Sequence, residues 1–302
     1  MDVLADVLRA FRTGQAVAAE TVGHRPWGLR FRNPVGVVFH IVLTGSAWLT
    51  VDDTAPRELT AGDIVLMPAP RSHNLSDAPG RTTIDFSSDL ENHDGPISRA
   101  VLPGEGPLSR LICGAYLLDG FGTHPLLRNL PEVIHLNTSH NAAPGLAATI
   151  DLLHAEIRDR HPGAEGAVAS LIDATLIYLL RAALATGNSG VSTPLSDPQI
   201  SRALTAIHRD PAHDWTVASL AAHATMSRST FADRFRALVG EPPGAYVTRW
   251  RMTTAARLLR EGSDPLVTVA PRVGYASEFA FAKAFKRFHG ESPGRYRRAR
   301  PG

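Results

Sequence analysis

Val273-Gly274-Tyr275-Ala276-Ser277-Glu278-Phe279-Ala280-Phe281-Ala282-Lys283-Ala284-Phe285-Lys286-Arg287-Phe288 is the stretch on which the fold turns. It has a counterpart 50 residues upstream: Ser227 answers to Ser277, Phe231 to Phe281, Phe235 to Phe285 and Leu238 to Phe288. The match continues with Gly240 and Gly290, Pro243 and Pro293, Gly244 and Gly294, Tyr246 and Tyr296. Before the serines the offset is 49, pairing Leu220 with Val269, Ala221 with Ala270 and Ala224 with Val273. The second turn, Gly274-Tyr275-Ala276, thus holds one residue more than the first, Thr225-Met226. Internal repetition of this kind marks two copies of one supersecondary unit.

Each copy has the parts of a helix-turn-helix. A short helix carries a small residue, Ala221 or Ala270, where two helices must approach closely. After a tight turn, Ser227 or Ser277 stands where an N-cap hydroxyl takes an orphan backbone N–H. The following helix has one apolar stripe, Phe231/Phe235/Leu238 or Phe281/Phe285/Phe288. Rotation by 100° per residue places Ser229, Ala232, Asp233 and Arg236 on the opposite face of the first copy, and Phe279, Ala282, Lys283 and Lys286 on that of the second. Small residues let a helix sit deep in a major groove, and charged ones reach bases or phosphates. Lys283 and Lys286 are the two lysines of the chain. With Arg228 and Arg287 these faces form the candidate DNA-binding set.

Charge supports that reading. Residues 197–302 carry 17 Lys and Arg against 9 Asp and Glu, a net of +8. The remaining 14 basic and 20 acidic residues give 1–196 a net of −6, so the C-terminal part is the one suited to a polyanion.

The C-terminal hundred residues closely resemble the AraC/XylS family of bacterial regulators, through 273–288 and Gly290-Glu291-Ser292-Pro293-Gly294-Arg295-Tyr296-Arg297. The resemblance implies two helix-turn-helix subdomains joined by a long helix, here 246–260, containing Arg249-Trp250-Arg251. It implies recognition helices in successive major grooves, about 34 Å apart, with positions 229, 232, 233 and 279, 282, 283 reading bases. Two residues depart from the pattern. Asp233 sits where such proteins often carry Arg, and an acid accepts from cytosine N4 but repels phosphate. Pro271 lies inside the first helix of the second copy, where a kink is expected.

The N-terminal part reads differently. Residues 1–12 form an amphipathic helix pattern through Val3, Leu4, Val7, Leu8 and Phe11. Short β-rich runs follow at 28–31, 35–43, 47–51, 64–67 and 82–86, with another at 108–118, punctuated by turn residues as in a sandwich or barrel. Helical patterns occupy 144–157 and 164–185, the second with a stripe wide enough for the barrel and a second subunit. A linker composition follows Gly187. Asp197 and Pro198 then open a helix that stops before Pro211. The expected fold is α+β and multidomain: a cupin-like barrel over 1–143, a helical packing and dimerisation region over 144–186, a linker over 187–196, and an all-α double helix-turn-helix domain over 197–302.

Gly62-Asp63-Ile64-Val65-Leu66-Met67-Pro68-Ala69-Pro70-Arg71-Ser72-His73 resembles the second cupin motif, with Pro70 in place of a usual Gly. His40, in Phe39-His40-Ile41-Val42-Leu43-Thr44-Gly45, resembles one histidine of the first motif. The second histidine position is Val42, and no suitably placed Glu follows. A catalytic metal wants three or four ligands, and His40 and His73 are the two in register. His24, His93 or His124 would have to complete the set in space; the alternative is two hydrogen-bonded core histidines, and no cofactor is assigned. A second resemblance, through Leu111-Ile112-Cys113-Gly114-Ala115-Tyr116 and His124-Pro125-Leu126-Leu127, is to a cupin-type AraC subfamily that includes a hypochlorous-acid-responsive regulator. Cys113, the single cysteine, lies in an apolar run and reads as a buried, inert thiol.

A lone cysteine forms no internal disulfide, the N-terminus lacks a basic, apolar leader, and the longest apolar runs fall short of the ~18 residues of a membrane span. The expectation is a cytoplasmic, nucleoid-associated bacterial regulator, not an enzyme. Its expected partners are double-stranded promoter DNA, a small-molecule effector, a second copy of itself and RNA polymerase. The alternative is a metal-dependent cupin enzyme with a DNA-binding appendage.

Overall fold

The computed structural model describes residues 2–12, 17–34, 36–52, 54–86, 97–116, 124–125, 130–138, 144–185 and 194–299. They fall into two compact units: Met1–Arg12, Thr123–Asn129 and Ser189–Gly302 in one, Thr13–Gly122 and Leu130–Asn188 in the other.

The second of these is built on two sheets. Its strands are β1 (Val17–His24), β2 (Gly28–Phe31), β3 (Val37–Thr44), β4 (Ser46–Val51), β5 (Arg57–Thr60), β6 (Asp63–Met67), β7 (His73–Ser76), β8 (Ile84–Asp85), β9 (Ile97–Leu102), β10 (Leu108–Tyr116) and β11 (Ile134–Asn137). One sheet runs β11-β6-β3-β10-β1-β9, the other β5-β4-β7-β2-β8. Trp27, Leu29, Leu49, Leu59 and Leu75 of one sheet region meet Val38, Val42, Val65, Met67, Leu111 and Cys113 of the other in a single core. Gly62 turns the chain into β6 at φ +90°, where a side chain is strained.

All the runs expected from sequence contain strands, but β1, β5, β7, β9 and β11 were not among them. Their composition explains why. In β5 and β7 the lone apolar residue, Leu59 or Leu75, supplies the core contact, which is too short a signal for alternation. In β1 the pattern is broken by Glu20, which is buried yet paired with Arg99 at 3.1 Å and Arg110 at 2.9 Å.

Helices α2 (Pro144–Asp159) and α3 (Ala164–Ala185) pack on each other and on β1. The Tyr116 hydroxyl donates to Asp173 of α3 at 2.6 Å. By length and composition α3 is apolar enough to cross a membrane, with mean hydropathy 1.7, contrary to the expectation from uninterrupted runs. Ser170, Asp173 and Thr175 break the run without lowering the average below that of a span. Val168, Ile172, Leu176, Leu179 and Leu180 bury one side of it within the unit.

The helical unit contains α1 (Val3–Phe11), α4 (Pro198–Arg209), α5 (Val217–His223), α6 (Arg228–Val239), α7 (Pro243–Glu261), α8 (Leu266–Arg272), α9 (Glu278–His289) and α10 (Pro293–Ala299). Asp197 caps α4 by accepting from the amides of Gln199 and Ile200, with Pro198 in the first turn, as expected. The 19-residue α7 is shared: Tyr246, Val247 and Trp250 of its first half are buried near α6, and Met252, Ala255, Ala256 and Leu259 join the core of α8 and α9.

Residues 1–12, which the sequence groups with the barrel, cluster in the structure with the helical unit. Helix α1, capped by Asp2, buries Val3, Leu4, Val7 and Leu8 and packs on α4 and α7. Arg260 of α7 donates to the carbonyls of Ala10 at 2.7 Å and Arg12 at 3.3 Å, satisfying orphan acceptors at the end of α1. Its other nitrogen donates to the Tyr296 hydroxyl at 2.9 Å. An amphipathic pattern states that a helix has a face to bury, not which element receives it.

Leu4→Ala is expected to destabilise the helical unit by about 2–4 kcal/mol, the ordinary cost of emptying a core leucine site. Hydrogen exchange checks this: amides of α4 and α7 should exchange faster in the variant, while those of β3 keep wild-type protection.

Candidate nucleic-acid interface

The two recognition helices are started and oriented in the same way. Ser227 accepts from the Thr230 amide at 3.3 Å and Ser277 from the Ala280 amide at 3.2 Å. Both helices end on a left-handed glycine, Gly240 or Gly290. Helices α5 and α8 each have seven residues, so Pro271, in the last turn of α8, does not shorten it.

The buried stripes follow i, i+4, i+8: Phe231, Phe235 and Val239 in α6, and Phe281, Phe285 and half-buried His289 in α9. Leu238 is half-buried and Phe288 is 40% exposed, which corrects the expected third stripe positions. The i+4 row faces α7, and His289 closes it with its ring tilted against Phe285, centroids 4.3 Å apart.

Burying that row turns the opposite row outward. Arg228, Ser229, Asp233 and Arg236 are exposed on α6, with Ala232 half-buried between them. On α9, Lys283, Lys286 and Arg287 are exposed, Ala282 is half-buried, and Phe279 is 80% exposed. Among the described residues, Arg228, Arg236, Lys283, Lys286 and Arg287 form no ion pair, whereas Arg234 is held by Asp197 at 2.6 Å, Arg249 by Glu241 at 3.0 Å and Arg272 by Asp264 at 2.9 Å. The cations of the two outward faces are thus without ion pairs, whereas Arg234, Arg249 and Arg272 join one element to another. Sequence spacing located the former; it offered no way to tell Arg234 from Arg236 as structural, because Asp197 is 37 residues away.

The interior of the barrel holds the other candidate residues. His40 and His73 meet, Nε2 to Nε2, at 2.8 Å. The Nδ1 of His73 lies 2.8 Å from the Arg71 carbonyl, which can only accept, so that nitrogen carries the proton. His73 Nε2 therefore accepts and His40 Nε2 donates. Burial, and then the neighbouring His73, hold the His40 pKa well below the imidazole range. Burial also lowers that of His73, partly offset by its bond to Arg71 and by Asp52. Phe31 stacks on His73 at 4.7 Å and on Phe86 at 4.7 Å. Val42, where the motif has a second histidine, is packed in the apolar core.

Cys113, opposite His40 in the β3–β10 register, is buried 3.5 Å from the Thr21 hydroxyl. His24 is half-buried at the end of β1. His124 belongs to the helical unit, with its ring 5.4 Å from Phe11 and 5.9 Å from Tyr246. His93 lies outside the described residues, as do 187–193 of the expected linker. Among the described residues no group of three or more His, Cys, Asp or Glu is placed to hold a metal ion. The pair does not fit a three-ligand catalytic centre.

Two sheets enclosing a histidine pair, and a helical unit with two outward, unpaired basic helices, define a cupin joined to a double helix-turn-helix. Residues 2–185 match the family described as Cupin, and residues 220–299 the family described as Helix-turn-helix domain. The chain belongs to the AraC-like transcription regulators with an N-terminal cupin domain, and is a DNA-binding transcription regulator. An AraC-like transcription regulator of Streptomyces antibioticus is 40% identical to it, covering 99% of both chains. The HTH-type transcriptional regulator AlkR of Acinetobacter baylyi is 32% identical over 90% of both. Among solved structures, the DNA-binding domain of AdpA in complex with a target DNA is 38% identical, covering 34% of this chain and 93% of that one, with TM-score 0.32.

The histidine pair generates a pH dependence. Both rings are neutral in the fold and free to charge once unfolded, so below the ordinary imidazole value of about 6.5 the unfolded state binds more protons. The stability they contribute is complete above that value and is lost as pH falls from it toward each histidine's lowered folded-state value. Thermal unfolding at pH 7.5, 6.5, 5.5 and 5.0 should show this decline, and His40→Asn should make it shallower.

Proposed function

We propose that this chain is a one-component regulator whose cupin barrel senses a small molecule or chemical stress and whose helices α6 and α9 read promoter DNA. The observation that carries the reading is the pair of outward faces whose cations have no protein partner among the described residues. A cation left unpaired on a groove-sized helix is available to phosphate, and each such contact adds to the salt dependence of binding. Base reading falls to Ser229, Ala232 and Asp233 on α6, and to Phe279, Ala282 and Lys283 on α9. Arg228, Arg236, Lys286 and Arg287, nearer the edges of the faces, serve the backbone.

We further propose a homodimer through α3. Its buried stripe is used within the unit, and its other side keeps Leu171, Ile177, Tyr178 and Leu184 only half-buried. Contact with RNA polymerase, residence in the cytoplasm and association with the nucleoid follow from the same reading. The chain is proposed not to be an enzyme: the metal-dependent alternative needs a third ligand beside His40 and His73, and the position that the motif reserves for it is Val42.

Footprinting with the full chain on neighbouring intergenic DNA is expected to show sequence-dependent protection, and its absence would count against the reading. Lys283→Ala should cost about 1–3 kcal/mol of specific affinity and relax sequence preference at one position. Lys286→Ala should weaken binding to all sequences similarly and lower the log-affinity versus log-salt slope by about 1. Elemental analysis of the purified protein is expected to find no stoichiometric Fe, Mn, Ni or Zn; a full complement of any of them would revive the enzyme reading.

A further inference from the structure

The two turns place different residues at the same left-handed position. In the first turn Thr225 takes φ +54°, and its hydroxyl accepts from Arg202 of α4 at 3.1 Å. In the second turn Gly274 takes φ +77°, and the space above it is filled by a side chain of α7. A β-carbon at Gly274 would stand 2.7 Å from the guanidinium carbon of Arg251. The same guanidinium faces the ring of Tyr275, 6.0 Å from its centroid. Tyr275 in turn packs edge-on against Phe281 in the buried stripe of α9, at 6.0 Å.

On its other side Arg251 reaches the first subdomain. Its Nε donates to the Pro211 carbonyl at 2.8 Å and one terminal nitrogen to the His213 carbonyl at 2.9 Å, both in the connection between α4 and α5. One planar group therefore touches the connector of the first subdomain and the turn of the second. Arg249 makes a second bridge: it is bidentate on Glu241, between α6 and α7, and lies over the Phe288 ring at 5.8 Å. A 19-residue helix of about 28 Å sets how far apart the subdomains are, but not how they are rotated about its axis.

We infer that Arg251 is a positioning residue that sets the registration of the second recognition helix relative to the first, and so makes the protein selective for the spacing between its two half-sites. It touches no DNA in this role. Gly274, the counterpart of Thr225 in the first turn, has no β-carbon, which lets the guanidinium lie against the second turn. Lysine would not replace it, because an ammonium has neither the flat face nor the fork that reaches two carbonyls. The inference rests on α6 and α9 being the groove-reading helices.

Inserting one base pair between half-sites moves them apart by about 3.4 Å and rotates them by about 34°. The probes are a duplex selected by the full chain from a random-sequence pool, the same duplex with one base pair inserted between its halves, and each half alone. Wild type should lose about tenfold or more on insertion, as for a mismatched site. Arg251→Ala and Arg251→Lys should bind the selected duplex more weakly, lose much less on insertion, and bind each half alone as wild type does. Half-site binding shows that the recognition helices remain folded, and its absence in wild type would count against those helices as readers. A DNA-free measurement stands beside it: spin labels at exposed positions 237 and 280, with Cys113→Ser, should give a broader distance distribution in Arg251→Ala than in wild type. Equal insertion losses in wild type and Arg251→Ala, or distributions of equal width, would overturn the inference.

Discussion

The packing of Phe231 and Phe235, and of Phe281 and Phe285, against the shared helix α7 is the constraint from which the DNA-binding unit follows. These four rings are fully buried. A helix with one row of large aromatics against a neighbour has no rotational freedom left, so its opposite row must face solvent. The outward position of Lys283 or Arg236 is thus a consequence of where phenylalanine is buried. The serine caps add to this by fixing where each helix begins, so that the outward row starts at the right residue.

The arginines of this unit divide by partner. Those with a carboxylate or carbonyl within reach, such as Arg234, Arg249, Arg251 and Arg260, join one element to another. Those on the outward rows of α6 and α9 have none among the described residues. A basic surplus of +8 therefore overstates the charge offered to a polyanion, because part of it is internal mortar. Arg260 extends this joining to the start of the chain, tying α1 to α7 and α10 through a single guanidinium.

The barrel is organised on a different principle. Its central strand β3 is buried on both faces, so it reads as a continuous apolar run rather than an alternating one. His40 lies on the same face as Val38 and Val42, and burial there keeps it neutral. The hydrogen bond between the two imidazoles and that from His73 to the Arg71 carbonyl partner three of the four ring nitrogens, leaving the buried Nδ1 of His40 without one.

Much was legible in the sequence because it rests on local physics. The repeat at 50 residues, the serine caps, the aromatic rows and the continuous apolar strands each depend on neighbours within one helical turn or one strand. The two helix-turn-helix units, the double-domain architecture and the outward faces followed from them. Tertiary structure decided what depends on distant partners: that α1 docks on the helical unit, that His124 lies there too, that β1 carries a buried glutamate, and that Arg251 fills the space over Gly274. Each is a meeting of residues tens to hundreds of positions apart, and such a meeting leaves no periodicity in the chain from which it can be read.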